Sequence, residues 1–256
     1  MKLSATIVAL NEERNIERAI RSIPFADEVL VVDSGSSDRT REIAARLGAR
    51  VIEEPWRGYA AQKNFAAECA ANLWILSLDA DEEVGPELAA EIAQLKSEPP
   101  RAEGYSFPRL ARYLGKWIRH SGWYPDRKVR LYRRDRARWV GDYVHESVRV
   151  DGTIAELHGD LLHYTCDSLA EHFRTLDRYT TLAAREVRAR GRRVGAMHLV
   201  ASPAWTFLRS YFLQLGILDG VAGLTIARMA AIYTFRKYSK ARELMHGASD
   251  ANPASR

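Results

Sequence analysis

Over roughly the first hundred residues, short apolar runs alternate with stretches whose apolar positions recur every three or four residues. Residues 4–10 form a β-rich run that stops at Asn11-Glu12-Glu13, after which Ile16, Ala19, Ile20 and Ile23 share one helical face. Asn11 is a good N-cap for that helix, and the acids suit its first turn. Residues 28–32 predict a second strand, broken by Asp33-Ser34-Gly35-Ser36-Ser37-Asp38. A helix carrying Ile43, Ala44 and Leu47 follows and ends at Gly48. Residues 49–53 read as a third strand, 56–71 contain a helix with Lys63 near its start, 73–78 form a fourth strand, and 86–95 another amphipathic helix. Strands alternating with helices of about ten residues indicate βαβ units and a parallel sheet, hence an α/β fold.

Beyond Glu98-Pro99-Pro100 the pattern changes. Residues 104–110, 128–133 and 146–150 read as strands without regular helices between them, and Asp151-Gly152 predicts a hairpin joining 148–150 to 153–155. Residues 169–190 predict a long helix. From Ala196 to about Tyr238 the chain is apolar and aromatic, and 247–256 are small and polar, as in a frayed tail. The expected organisation is an α/β half over 1–98, a mixed sheet of the same domain over 99–168, C-terminal helices over 169–246 and a tail over 247–256.

With 256 residues there is room for one large domain and an appendage. The net charge of +5 favours an anionic partner such as a phosphate or an acidic membrane surface, and does not call for nucleic acid. Cys69 and Cys166 are far apart and lack metal-ligand spacing, which suits a reducing compartment. The first residues enter a strand and meet Asn11-Glu12-Glu13 too early for a signal peptide, so the expected location is cytoplasmic.

Three strand ends carry the chemistry: Asn11-Glu12, Asp33 with Asp38, and Asp79 with Asp81. In a parallel sheet all three open on one edge, where ligands bind. A buried strand has no use for carboxylates. If the extended backbone continues past Asp79, it and Asp81 point the same way across Ala80. Such a pair repels unless a cation lies between them, and a divalent ion carrying a diphosphate meets that need. The other reading is that these acids cap the helix beginning at Pro86. Asp33 can accept hydrogen bonds from a ribose or a base imide, or can simply form the Asx turn of Asp-Ser-Gly. No glycine-rich fingerprint follows the first strand, and there is no Gly-Lys-Ser or Gly-Lys-Thr, which argues against dinucleotide-binding dehydrogenases and P-loop enzymes.

The ordered motifs Thr6-Ile7-Val8-Ala9-Leu10-Asn11-Glu12, Val31-Val32-Asp33-Ser34-Gly35-Ser36-Ser37-Asp38 and Leu78-Asp79-Ala80-Asp81-Glu82 resemble those of family-two inverting glycosyltransferases. The similarity to lipopolysaccharide core-biosynthesis glucosyltransferases extends through Lys128–Arg133, Val144-His145-Glu146 and Leu218-Asp219-Gly220. The resemblance implies a GT-A nucleotide-diphospho-sugar transferase fold with a C-terminal helical extension. It implies Ala9, Glu12, Asp33, Asp38, Lys63, Asp79 and Ala80 around the nucleotide sugar. Asp81 would be the direct ligand of Mg2+ or Mn2+, with Asp79 near the ribose and metal. It further implies a UDP-sugar donor, UDP-glucose first, and a membrane-anchored glycolipid acceptor such as the lipopolysaccharide inner core. Polyprenyl phosphate is the alternative acceptor, and a nucleotide-sugar-binding protein without turnover is the alternative of another class.

Inversion needs a base outside the nucleotide loops. By resemblance this is Glu146, with Asp142 and His145 as alternatives, because many relatives place Glu-Asp at this step and this chain has His145-Glu146. His163 interrupts an apolar strand and reads either as a satisfied core residue or as a further metal ligand. Basic residues from Arg127 to Arg138 alternate with Val129, Leu131 and Tyr132, which predicts a cationic face turned out and apolar side chains in. Arg130 could then meet an acceptor or the diphosphate, and Trp123 could stack on a sugar. Asp219 and nearby glycines interrupt the apolar C-terminal run, so interfacial helices are expected rather than a span. Trp205 and Tyr233 would lie at the interface, with Arg236, Lys237, Lys240 and Arg242 on anionic headgroups. That places the protein peripherally on the cytoplasmic face of the inner membrane. The alternative is that these helices only cap the core or join two copies.

Overall fold

The structure, a computed structural model, describes residues 1–141 and 146–249, with side chains through Met245. The chain divides into two compact units, one made of Met1–Leu110 and Pro125–Tyr164, the other of Ala111–Tyr124 and Thr165–Arg256.

In the first unit the expected alternation is present: β1 (Leu3–Ala9), α1 (Ile16–Arg21), β2 (Glu28–Asp33), α2 (Thr40–Arg46), β3 (Arg50–Glu53), α3 (Tyr59–Cys69), β4 (Trp74–Asp79), β5 (Glu82–Val84) and α4 (Pro86–Ser97). Strands β3, β2, β1 and β4 lie side by side and parallel. β1 and β4 are buried along almost their whole length, which explains their continuous apolar runs. The later strands are β6 (Gly104–Tyr113), β7 (Lys116–Ile118), β8 (Asp126–Arg133), β9 (Ala137–Val140), β10 (Ser147–Val150), β11 (Ile154–Glu156) and β12 (Leu161–Cys166). β8 runs antiparallel to β4 and to β6, so the parallel half passes into a mixed half. Leu3, Ile7, Leu76, Leu78, Leu88, Phe107, Leu131 and Leu161 form the core between sheet and helices.

The hairpin expected at Asp151-Gly152 is not formed. β10 pairs with β9, and β11 runs parallel to β6 instead. Gly152 turns the chain at φ +141, and the Glu103 carboxylate accepts from the backbone N–H and hydroxyl of Thr153, drawing β11 to the β6 edge. The helix N-cap expected at Asn11 is also displaced. α1 begins at Ile16, and Asn11 stands in the left-handed region at φ +57, which asparagine tolerates better than most residues.

The second unit is mainly helical: α5 (Leu169–Ala189), α6 (Ala196–Leu199), α7 (Ala201–Leu208), one wide turn over Arg209–Leu213, one tight turn over Gly216–Asp219, and α8 (Gly220–Ser249). The Ser168 side chain caps α5 by accepting from Glu171 N–H. α5 and α8 meet at Ala184, Val187 and Ala241. Asp177 ties the pair by accepting from Arg236 at 3.0 Å and Lys240 at 2.8 Å. Residues 111–113 pair with β7, and Tyr113, Ile118, Cys166 and Ile226 make a small core. The Tyr113 hydroxyl meets His172 Nδ1 at 2.7 Å. Residues Gly216–Met245 are long and apolar enough to cross a membrane by length and composition.

Candidate active site

Strand register brings the three acidic strand ends to one edge. Ala9 lies opposite Asp33, and Val8 opposite Asp79. The loops beyond them are stitched together by side chains. Asn11 N–H donates to Ser36 Oγ at 2.8 Å, and Ser37 N–H to Asn11 Oδ1 at 2.8 Å. Glu12 N–H donates to Thr40 Oγ1, and Glu13 N–H to Asp38. Asp33 is fully buried, and its carboxylate accepts from Gly35 N–H, Ser36 N–H and the Ser36 hydroxyl. This is the Asx turn, and it fixes the loop from within. Asp38 works alike. Burial alone would raise its carboxyl, but the hydroxyl and N–H of Thr40 and the N–H of Glu13 hold it below the ordinary range.

Beyond β4 the backbone turns, and the two aspartates part instead of pointing the same way. Asp79 faces two cations, Lys63 Nζ on Oδ1 and Arg130 Nη2 on Oδ2, both at 2.8 Å. Burial would raise the Asp79 carboxyl; Arg130 and then Lys63 outweigh it and hold the group far below the usual range. Arg130 also binds Glu82 Oε1 at 2.8 Å, while Glu82 Oε2 accepts from Asp79 N–H. Lys63 reaches Glu146 Oε1 at 3.3 Å and lies 4.3 Å over the Trp139 ring. Arg130 is therefore buried among carboxylates, not on a cationic outer face. Two acids at β4 and β5 reverse the direction that alternation along β8 predicts.

Asp81 turns the other way. Its Oδ2 lies 3.3 Å from His163 Nε2, and its backbone carbonyl accepts from Tyr164 N–H. β12 pairs His163 with Glu82, so strand pairing, not sequence proximity, delivers the imidazole. Burial, and then the fields of Asp81, Asp38 and Asp79, push the Glu12 carboxyl above its ordinary value, against a lowering hydrogen bond from Asn15. Among the described residues no three His, Cys, Asp or Glu side chains converge as a closed metal cage. An Asp–His pair on an acidic edge fits an ion that takes its remaining ligands from a phosphate. The helix-cap reading of Asp79 and Asp81 fails, because α4 has Gly85 as its N-cap and no side-chain cap bond.

Ala9 and Ala80 are buried beside these groups at the ends of β1 and β4. Trp123 belongs to the second unit, where it stacks edge-on against Tyr113 at 5.5 Å. Asp142 and His145 lie outside the described residues. Three contributors are absent from the sequence reading. Glu82 shares Arg130 with Asp79. Trp139 flanks both cations, its backbone clamped at 2.9 Å by both ends of the Asn64 amide. Gln62, fully buried, ties Ser34 to the Glu54 carbonyl. Only Glu82 had a signal, its place directly after Asp81.

A profile of the family described as glycosyl transferase family 2 matches residues 4–152, more than half of the chain. The chain belongs to glycosyl transferase family 2. The transferase is 31% identical over 247 residues to the lipopolysaccharide core biosynthesis glycosyltransferase LpsC of Rhizobium meliloti, covering 94% of this chain and 92% of that one. It is 33% identical over 255 residues to an uncharacterized glycosyltransferase of Rickettsia typhi, covering 95% and 87%. Among solved structures, TarS 1-349 of S. aureus aligns with TM-score 0.48 and 15% identity over 96% of this chain and 92% of that one. Glucosyl-3-phosphoglycerate synthase of Mycobacterium tuberculosis, in complex with Mg2+ and UDP, aligns with TM-score 0.46 and 18% identity over 64% and 72%. The family carries the GT-A-type α/β fold that the motifs imply, and with it the transfer of a sugar from a nucleotide donor.

Proposed function

We propose that the transferase moves a hexose, glucose, from UDP-glucose to a membrane-anchored glycolipid of the lipopolysaccharide inner core, with inversion at the anomeric carbon. The observation that carries the reading is the acidic edge where Asp79, held by Lys63 and Arg130, adjoins the Asp81–His163 pair. The acceptor class rests on the near full-length similarity to a lipopolysaccharide core transferase. The protein works peripherally at the cytoplasmic face of the inner membrane.

In this reading the nucleoside lies along Ala9, Glu12 and the loop that Asp33 and Asp38 shape, with Asp79 and Ala80 toward the ribose. Mg2+ or Mn2+ would be held by Asp81 and His163; when bound it offsets charge on the departing diphosphate. Arg130 and Lys63 do not compete for that role, since their charge is already committed to Asp79, Glu82 and Glu146; they keep Asp79 ionised and fixed. Glu146 takes the acceptor hydroxyl proton, and Lys63 at 3.3 Å orients its carboxylate.

The test is transfer from UDP-glucose to core-truncated lipopolysaccharide, comparing wild type with Asp81→Ala and Glu146→Gln. Glu146→Gln is expected to lower kcat by about 10²–10⁴-fold with little change in KM. Asp81→Ala removes the response to added Mg2+ or Mn2+. Undiminished turnover in folded variants overturns the residue assignments. Transfer to polyprenyl phosphate in preference to the lipopolysaccharide overturns the acceptor.

A further inference from the structure

Large apolar side chains are not spread evenly over this surface. Of the seventeen that stand exposed among the described residues, ten fall between Met197 and Val221. Trp205 is 57% exposed, Leu213 66%, Leu218 61% and Val221 82%. Scattered exposed apolar residues need no explanation, but ten in one stretch of chain do, five of them in the connection between α7 and α8.

The connection between α7 and α8 is not a slack loop. Its backbone makes a wide turn, passes Leu215 in the left-handed region at φ +56, and closes in a tight turn. Asp219 pins it from inside. This side chain is nearly fully buried and accepts from His120 N–H at 3.1 Å, from Arg119 N–H at 3.4 Å and from the Ser121 hydroxyl, with His120 Nδ1 at 3.1 Å. Lys116 Nζ donates to its carbonyl, and Ser121 N–H to the Gln214 carbonyl. The glycines leave no slack: a Cβ on Gly216 would meet Ser121 Oγ and the Ser210 carbonyl at 2.7 Å, and one on Gly223 the Gly216 carbonyl at 1.8 Å. Buried polar partners thus hold a turn whose apolar side chains point outward. A chain that merely needed to close the connection would have turned them in.

Charge around the turn has one sign. From Arg192 to Arg228 the only acid is Asp219, which is buried, against four arginines. Arg192, Arg193, Arg209 and Arg228 are exposed. We infer that the 205–221 turn of the second unit is a lipid-docking tip, its apolar side chains entering a bilayer whose anionic headgroups meet the flanking arginines. Self-association is the poorer occupant, since a second copy would bring the same cations against themselves. The surface also moves from where composition put it. Arg236 and Lys240 are engaged with Asp177, and Tyr233 is half-buried, so the far part of α8 is spent on α5 and not on headgroups.

The inference deepens the peripheral location proposed above, and its test uses neither donor nor acceptor, so the two fail separately. The full chain is sedimented with vesicles of phosphatidylcholine alone and of phosphatidylcholine with phosphatidylglycerol. Trp205 is followed by quenching with brominated lipid. Binding to the anionic vesicles with quenching is expected. Leu213→Ser with Leu218→Ser lowers the partition coefficient at least about tenfold, and Arg209→Glu with Arg228→Glu removes the preference for anionic lipid. Because these side chains are already in solvent, circular dichroism of the variants stays as in wild type. Wild type that fails to bind, serine variants that bind equally well, or a dimer on gel filtration that the serine variants dissociate, each overturns it.

Discussion

Asp79 sits between two buried cations, so its removal is felt twice. Asp79→Asn leaves Lys63 and Arg130 short of counter-charge and is expected to destabilise the first unit by roughly 3 kcal/mol, the lower end for breaking a buried pair since Asp79 keeps some exposure. The pH dependence has a definite sign. The folded-state carboxyl is depressed, so its contribution is present above the unfolded carboxylate value, about 4, and is lost as pH falls toward the folded value. Urea unfolding across that range should show wild type and Asp79→Asn converging in acid; a constant gap contradicts the ion-pair account. Asp79 and Asp81 were legible as two neighbouring acids at a strand end. Their separate partners were not, because Lys63, Arg130 and His163 come from three other elements and no spacing along the chain encodes that meeting.

Between elements, close approach at one glycine and one half-buried imidazole gives two checks. A Cβ at Gly159 would meet Leu88 N at 2.2 Å, backbone against the first turn of α4. Gly159→Ala is therefore expected to cost about 1–3 kcal/mol, read as a lower urea midpoint with an unchanged slope. In the second unit, Tyr113 and His172 join the 111–113 strand to α5. Burial pushes the tyrosine up to about 12, so its hydroxyl stays protonated while it shares a hydrogen bond with His172 Nδ1. Burial also lowers His172 from its ordinary value, so the unfolded chain binds a proton that the folded unit refuses. Stability then falls as pH drops below the ordinary imidazole value, about 6.5, and His172→Gln flattens that part of the profile of melting temperature. The periodicity of the first half placed its helices and its four parallel strands within a few residues, but not β5. The turn signal at Asp151-Gly152 gave β11 the wrong partner, and two hydrogen bonds from Thr153 to Glu103 hold it beside β6 instead.

For the whole molecule, the consequence is one of connectivity. The second unit takes residues 111–124 from the middle of the first, so a chain cut after Tyr164 keeps Tyr113 and Ile118, both fully buried, without the Cys166 and Ile226 that cover them. A fragment of residues 1–164 is expected to be recovered mostly in the insoluble fraction. Replacing 111–124 in that fragment by a short Gly-Ser linker should restore soluble expression; equal solubility of the two fragments would refute the division.

The sequence by itself determined the α/β class, the parallel pairing of the first four strands, the edge that carries the acids and the family. Each is written in local pattern: strands buried on both faces must be apolar throughout, and only where they end can carboxylates stand. The tertiary structure decided what pattern cannot carry. It turned Arg130 inward, because Asp79 and Glu82 supply the charge that makes its burial tolerable. It brought His163 to Asp81 through the pairing of β12 with β5. It also made Asp219 an anchor: in the sequence this acid only interrupts an apolar run, whereas its buried hydrogen bonds from 119–121 fix the turn that holds Leu213, Leu218 and Val221 in solvent.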